Sequence, residues 1–142
     1  MRTSKHDRRR IHGCPGIFAR CPKARKDQPG VVLIDSRESD RYAGLREPID
    51  PVAGHVPGAS NVPFTGNLTT GQTFLSQAEL ALRYAPYVAG WDPRDIVCMC
   101  GSGVTACQGI FALALAGVPG VALYPGSWSE WIRSTERPVA TG

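Results

Sequence analysis

The residues of this chain best placed to do chemistry are Cys100-Gly101-Ser102-Gly103-Val104-Thr105-Ala106. The cysteine follows the apolar run Asp95-Ile96-Val97-Cys98-Met99 and precedes a second apolar run from Val104 to Ala116. A buried strand and then a helix are the expected flanks, which places Cys100 on the carboxyl rim of a parallel sheet, where ligands of open α/β sheets sit. Two glycines let the backbone from Gly101 to Thr105 curl so that successive N–H groups point inward. Such a nest, backed by the positive end of the following helix dipole, favours an anion. The expected species is an accessible, nucleophilic thiolate at Cys100.

Two plainer readings stand beside it. The loop is a phosphate-binding turn in which the cysteine is incidental, or Cys100 is a buried small hydrophobe at a strand end. A nucleotide cradle requires Gly-Lys-Ser/Thr, and no lysine occurs after Lys26. A cysteine-dependent phosphatase loop requires an arginine to clamp the phosphoryl dianion, and Gly101 to Ala106 include none. With phosphoryl chemistry set aside, a thiolate cupped by neutral amides suits a singly charged sulfur adduct.

The elements that must position this loop are legible as alternating strands and helices. Val31-Val32-Leu33-Ile34 is a β-branched run of the kind buried on both faces. Polar, turn-rich sequence leads to Asn61-Val62-Pro63, read as a short second strand. Ser76-Gln77-Ala78-Glu79 forms a capping box that opens a helix from Gln77 to about Val88, with Gly90 placed to stop it. The strand ending at Met99 and the helix from Val104 to Ala116 follow, the latter stopped by Gly117 and Pro119. Val121-Ala122-Leu123 is a further strand, and Pro125-Gly126-Ser127 turns into a short Trp-rich helix. The expected fold class is α/β, a central mainly parallel sheet with helices on both faces.

Composition fits one such domain. The 142 residues are 42% hydrophobic and 20% charged, which excludes a disordered or fibrous chain. The uncharged stretch from Ile96 to Pro125 is interrupted by Gly101, Ser102, Gly103, Thr105, Gln108 and Pro119, so no membrane association is expected. Charge is divided unevenly. Residues 1–28 hold nine Lys/Arg against two Asp, a net of +7, whereas residues 29–142 hold seven Arg against ten acidic residues, a net of −3. Residues 1–29 are therefore read as a basic flexible N-terminal extension and residues 30–142 as the folded domain that holds the cysteine loop, with no nucleic-acid partner expected. A zinc site from His6, His12, Cys14 and Cys21 is the least favoured reading of the extension, because its cysteines are too widely spaced. No metal site and no cofactor are expected. Five cysteines are an odd set for a disulfide framework, and no signal peptide is apparent, so a reducing, cytoplasmic setting is expected.

The cysteine loop is similar to the active-site loop of rhodanese-family sulfurtransferases and specifically resembles the 3-mercaptopyruvate branch. Three more stretches carry the same resemblance: Asp35-Ser36-Arg37, Gly54-His55-Val56-Pro57-Gly58-Ala59, and Tyr124-Pro125-Gly126-Ser127-Trp128-Ser129-Glu130-Trp131. Together they look like the catalytic C-terminal rhodanese domain. The resemblance implies a two-step transfer. Cys100 takes sulfur from a small anionic donor, with 3-mercaptopyruvate favoured and thiosulfate the alternative, and becomes a persulfide. A thiol, thioredoxin or cyanide then accepts that sulfur. The amides of Gly101, Ser102, Gly103, Val104 and Thr105 would hold the persulfide, and Ser102 and Arg41 would contact the substrate, Arg41 by gripping a carboxylate bidentately. Where mercaptopyruvate enzymes add a second arginine, this chain reads Glu47-Pro48-Ile49-Asp50. In the two-domain family a neighbour covers the active face, so a homodimer or second rhodanese domain is the expected cover. A non-catalytic binding or regulatory module is the rival from another class.

The remaining candidates read as structural. Cys98 lies on the same strand face as Cys100 and Cys107 is expected in the core. Trp128 and Trp131 are expected to pack the last helix, Asp35 and Arg37 to form a turn, and His55 to bond backbone.

Overall fold

The computed structural model describes residues 30–142. The basic extension and its candidate zinc ligands lie outside the described residues. Four strands, β1 (Val32–Asp35), β2 (Ser60–Asn61), β3 (Ile96–Met99) and β4 (Ala122–Leu123), form one sheet in the order β2-β1-β3-β4. Every pairing is parallel, with Ile34 beside Cys98 and Asp35 beside Met99 in the central pair. Both central strands are buried along their whole length. That burial is why they read as unbroken apolar runs rather than as alternating ones.

Alternation across the pleat divides the core in two. On one face Val32, Ile34, Ile96, Cys98 and Cys100 pack with Leu80, Tyr84, Ala106, Ala112 and Leu113. Those partners come from α2 (Gln77–Val88) and α3 (Val104–Leu115), after α1 (Ser39–Tyr42). On the other face Leu33, Val97 and Met99 meet Val56, Ala59, Tyr124, Trp128 and Trp131, the last pair from α4 (Ser127–Trp131). Helices thus cover both faces, as expected from sequence.

The capping box that opens α2 is formed in both directions, with the Ser76 side chain accepting from the Glu79 amide and the Glu79 carboxylate accepting from the Ser76 amide. Three readings need adjustment. The second strand is Ser60–Asn61, which begins one residue before the expected stretch and shares Asn61 with it. The one-turn helix α1, inside the region read as turns, carries Arg41. Cys107 is exposed and not in the core. On α3 the inward face is taken by Ala106, Gly109, Ala112 and Leu113, and one residue's rotation turns Cys107 out, beside Val104, Phe111 and Leu115.

The carboxyl end of β1 is fixed by a buried ion pair. Asp35 is fully buried and Arg37 is 2% exposed. The guanidinium meets the carboxylate through Nη2 at 2.7 Å and Nε at 3.1 Å, while the Arg37 amide donates to Oδ1 at 3.0 Å. A further bond from Nη2 to Gly54 O and a position 4.7 Å above the Trp128 ring tie this turn to the second core. Both residues act structurally, as their place in the sequence indicates. Replacing Asp35 by Ala leaves Arg37 buried without its carboxylate, and the expected loss is about 3–5 kcal/mol of unfolding free energy in a urea titration.

Candidate active site

Past Met99 the chain leaves the sheet, and Cys100 begins the loop to α3. Its residue is 2% exposed, and it lines the floor of a cavity of about 190 Å³ with Arg41, Ile49, Asp50, Ser102, Thr105 and Ser129. The sulfur is therefore reached through the cavity rather than from an open surface. Gly103 N–H donates to Cys100 Sγ at 3.0 Å. Among the described residues it is the single loop amide that donates to the unloaded sulfur. The amides of Ser102, Val104 and Thr105 have no partner among the described residues, as expected at the mouth of a helix.

This geometry requires Gly103. It caps α3 at φ 91°, and a Cβ there would lie 2.6 Å from Pro125 O. The loop is held from behind by the start of α4. Cys100 N donates to Ser127 Oγ at 3.0 Å, Trp128 N donates to Cys100 O at 3.0 Å, and Ser129 N donates to Gly101 O at 2.9 Å. Ser127 itself adopts φ 51°, a left-handed conformation unusual for a residue with a Cβ. Its hydroxyl donates to Tyr124 O at 2.8 Å while accepting from Cys100. Those two bonds offset a cost of about 1–3 kcal/mol for that backbone state.

The neighbouring thiol is of a different kind. Cys98 is fully buried on the same sheet face, and burial, reinforced by the nearby Cys100 and Cys107 thiols, pushes its pKa up to about 12. It stays a protonated core residue at neutral pH.

Arg41 reaches the loop from α1. A Cβ on Gly101 would stand 3.4 Å from Arg41 Nη1, so the guanidinium passes directly over the residue after Cys100. Its other edge is already occupied. Nη2 and Nε donate to Glu47 Oε1 at 2.7 and 3.1 Å, and Nη2 also reaches Asp50 Oδ2 at 3.3 Å. The bidentate grip expected for a donor carboxylate is thus made on Glu47. Burial alone would raise the Glu47 carboxyl, but the Arg41 bond and the Ile49 and Asp50 amides outweigh it and hold its pKa below the usual value. The pair therefore persists from neutral pH well into the acid range.

Sequence reasoning placed Cys100, Ser102, Thr105 and Arg41 around one site, and the structure brings all four to one cavity. It did not single out Glu47, Asp50, Ser127 or Ser129. Ser129 Oγ lies 2.9 Å from both Asp50 Oδ1 and Gly101 O, bridging two parts of the chain. His55 is elsewhere, with Nδ1 2.8 Å from Tyr42 O and its ring stacked on Tyr42. Trp128 and Trp131 are 0% and 2% exposed and pack α4, without lining the cavity. Among the described residues no cluster of three or more His, Cys, Asp or Glu is arranged to hold a metal ion, and no helix is long and apolar enough to cross a membrane.

The fold and the loop define a class. The model of the rhodanese-like domain matches residues 20–134, and this chain belongs to that family. A protein of Pseudomonas aeruginosa named "Probable 3-mercaptopyruvate sulfurtransferase" is 51% identical over 126 residues, covering 89% of this chain and 44% of that protein. The thiosulfate sulfurtransferase of Rattus norvegicus is 39% identical over 104 residues, 71% of this chain and 35% of that protein. Among solved structures, 3-mercaptopyruvate sulfurtransferase from Leishmania major superposes with a TM-score of 0.66 at 33% identity, covering 82% of this chain and 33% of that one. The chain spans less than half the length of these relatives.

Gly103→Ala combines left-handed backbone with a contact against Pro125 O. It should lower stability by about 1–3 kcal/mol, read as a fall in the calorimetric melting temperature.

Proposed function

We propose that this domain is a sulfurtransferase that carries sulfur on Cys100, from a small anionic donor to a thiol, thioredoxin or cyanide. The observation that carries this reading is the Gly103 N–H directed at Cys100 Sγ in a cavity that Arg41 also lines. With 3-mercaptopyruvate the Cys100 thiolate attacks the donor sulfur, the C–S bond breaks, and the carbon takes a proton to leave as pyruvate. With thiosulfate the S–S bond breaks and sulfite leaves with the bonding pair. Either way Cys100 gains one sulfur as a persulfide anion, and an acceptor nucleophile later takes that outer atom and restores the thiolate.

The outer sulfur stands about 2 Å beyond Sγ. The partnerless amides of Ser102, Val104 and Thr105, with Gly101 beside them, are the donors available to it there. They are fixed before the charge arrives, so no reorganisation is needed. Ser102 and Arg41 are the substrate contacts, Arg41 through the Nη1 side that Glu47 leaves open. Mercaptopyruvate is favoured by the 51% identity to the Pseudomonas protein, and thiosulfate is the alternative named by the rat relative.

The exposed apolar residues Ile49 and Val104, each 73% accessible, stand at the cavity, and Phe111 and Leu115 continue the stripe along α3. This supports an apolar cover over the mouth, supplied by a second copy or a second domain of the same fold.

Incubation with 3-mercaptopyruvate should add one sulfur to the intact mass of the wild-type chain and none to Cys100→Ser. Equal loading of the variant would move the chemistry to another thiol. Arg41→Ala should raise the apparent KM for the donor about tenfold in a pyruvate-release assay. An unchanged KM would remove Arg41 from substrate binding.

A further inference from the structure

The charges around the cavity do not match a pocket built to attract anions of every kind. Arg41 and Asp50 are the charged side chains that line it, and Arg41 is already bound by Glu47 on its Nε–Nη2 edge. Glu47 is 4% exposed at its side chain and sits behind the guanidinium, not in the cavity lining. Arg37, paired with Asp35, also stands 3.6 Å from Glu47, so two guanidinium groups meet three carboxylates, and the surplus negative charge is the one on Asp50, which lines the same cavity as Cys100.

Asp50 is held there firmly. Its Oδ2 is 3.3 Å from Arg41 Nη2, its Oδ1 is 2.9 Å from Ser129 Oγ, and its side chain is 9% exposed. Ser129 in turn is bonded to Gly101 O through its amide and lies 2.9 Å from it through its hydroxyl. The carboxylate is thus coupled to the cysteine loop by one serine and cannot swing away without losing both contacts. Any donor that brings its sulfur to Cys100 brings its own charge close to Asp50. The Coulomb penalty grows in proportion to that charge, so a dianion is penalised twice as much as a monoanion. The attraction of Arg41 and the loop amides grows with the donor's charge in the same proportion, so the surplus carboxylate, Asp50, is what turns the balance against the dianion.

We infer that Asp50 is a charge filter: it sets a preference for singly charged sulfur donors, such as an α-keto-acid thiol, over doubly charged ones such as thiosulfate. The inference rests on sulfur loading at Cys100 as proposed above and names the donor class that this site prefers. Asp50 acts through its field on the bound donor and through Ser129, which makes it a specificity-determining residue.

The test compares the second-order rate constants at which 3-mercaptopyruvate and thiosulfate load sulfur onto Cys100, measured by quenched intact-mass spectrometry at low salt. The wild type, Asp50→Asn and Asp50→Glu are compared as full chains, so residues 1–29 contribute equally to each. Asp50→Asn keeps the shape and the hydrogen bond to Ser129 but removes the charge. It should raise the thiosulfate-to-mercaptopyruvate ratio about tenfold, a gain that shrinks as salt is added. Asp50→Glu keeps the charge and should leave the ratio within about twofold of wild type. An unchanged ratio in Asp50→Asn, with both donors loading, overturns the filter and leaves the sulfurtransferase reading standing. An equal fall for both donors also overturns it, because Asp50 would then only be holding the loop. If neither donor loads the wild-type Cys100, the sulfurtransferase reading fails and the filter falls with it.

Discussion

A single hydrogen bond, from the Gly103 amide to the sulfur of Cys100, sets the terms for this site. To make it, the chain must reverse within the residues between β3 and α3, and it does so by placing Gly103 in the left-handed region against Pro125 O. No side chain fits there. The same reversal points the free end of α3 at the cavity, where the first-turn amides lack helical partners by geometry. The strand delivers Cys100, the glycine turns the chain, and the helix supplies the donors. The first turn of α4 supports the arrangement from below through Ser127, Trp128 and Ser129. The sheet and its two cores hold β3 and α4 in the register that these bonds require.

The charges obey a second constraint. A buried arginine costs several kcal/mol to desolvate unless a carboxylate meets it, and two arginines stand near the cysteine rim. Arg37 is met by Asp35, and Arg41 by Glu47 and Asp50. Glu47 also stands 3.6 Å from Arg37, so one carboxylate links both guanidinium groups. Arg41 is consequently a pre-oriented group, fixed over Gly101 by Glu47 behind it and Asp50 beside it in the cavity, and not a free cation waiting for a donor. Pre-orientation lowers the entropy lost on binding, while the neutralising acids reduce the net attraction. Shape and amides therefore contribute to donor binding alongside charge.

Sequence and structure agree where the signal is local. The β-branched run of β1, the capping box at Ser76 and the Gly-rich turn after Cys100 each express their geometry within a few residues, and each is found in place. The helix α1 was not legible, since Ser39–Tyr42 is one turn with no apolar face of its own and is set by the contacts of Arg41 and Tyr42. The roles of Asp50, Ser127 and Ser129 were hidden for another reason. Ser129 is 79 positions from Asp50 and 28 from Gly101, and Ser127 is 27 from Cys100. Such pairings arise from the way β4 lies beside β3, which no local pattern encodes. Cys107 was misplaced because α3 is apolar on nearly every side, and periodicity cannot orient a helix of that kind.

The reading of this site stands or falls on whether Cys100 stores sulfur between two separate half-reactions. It is tested most directly by loading the chain with 3-mercaptopyruvate, removing all free donor by gel filtration, and then adding cyanide. About one thiocyanate should be released per chain, with the protein returning to its unloaded mass. Thiocyanate that forms only while donor and cyanide are present together, or a loaded chain that keeps its sulfur in cyanide, would contradict it.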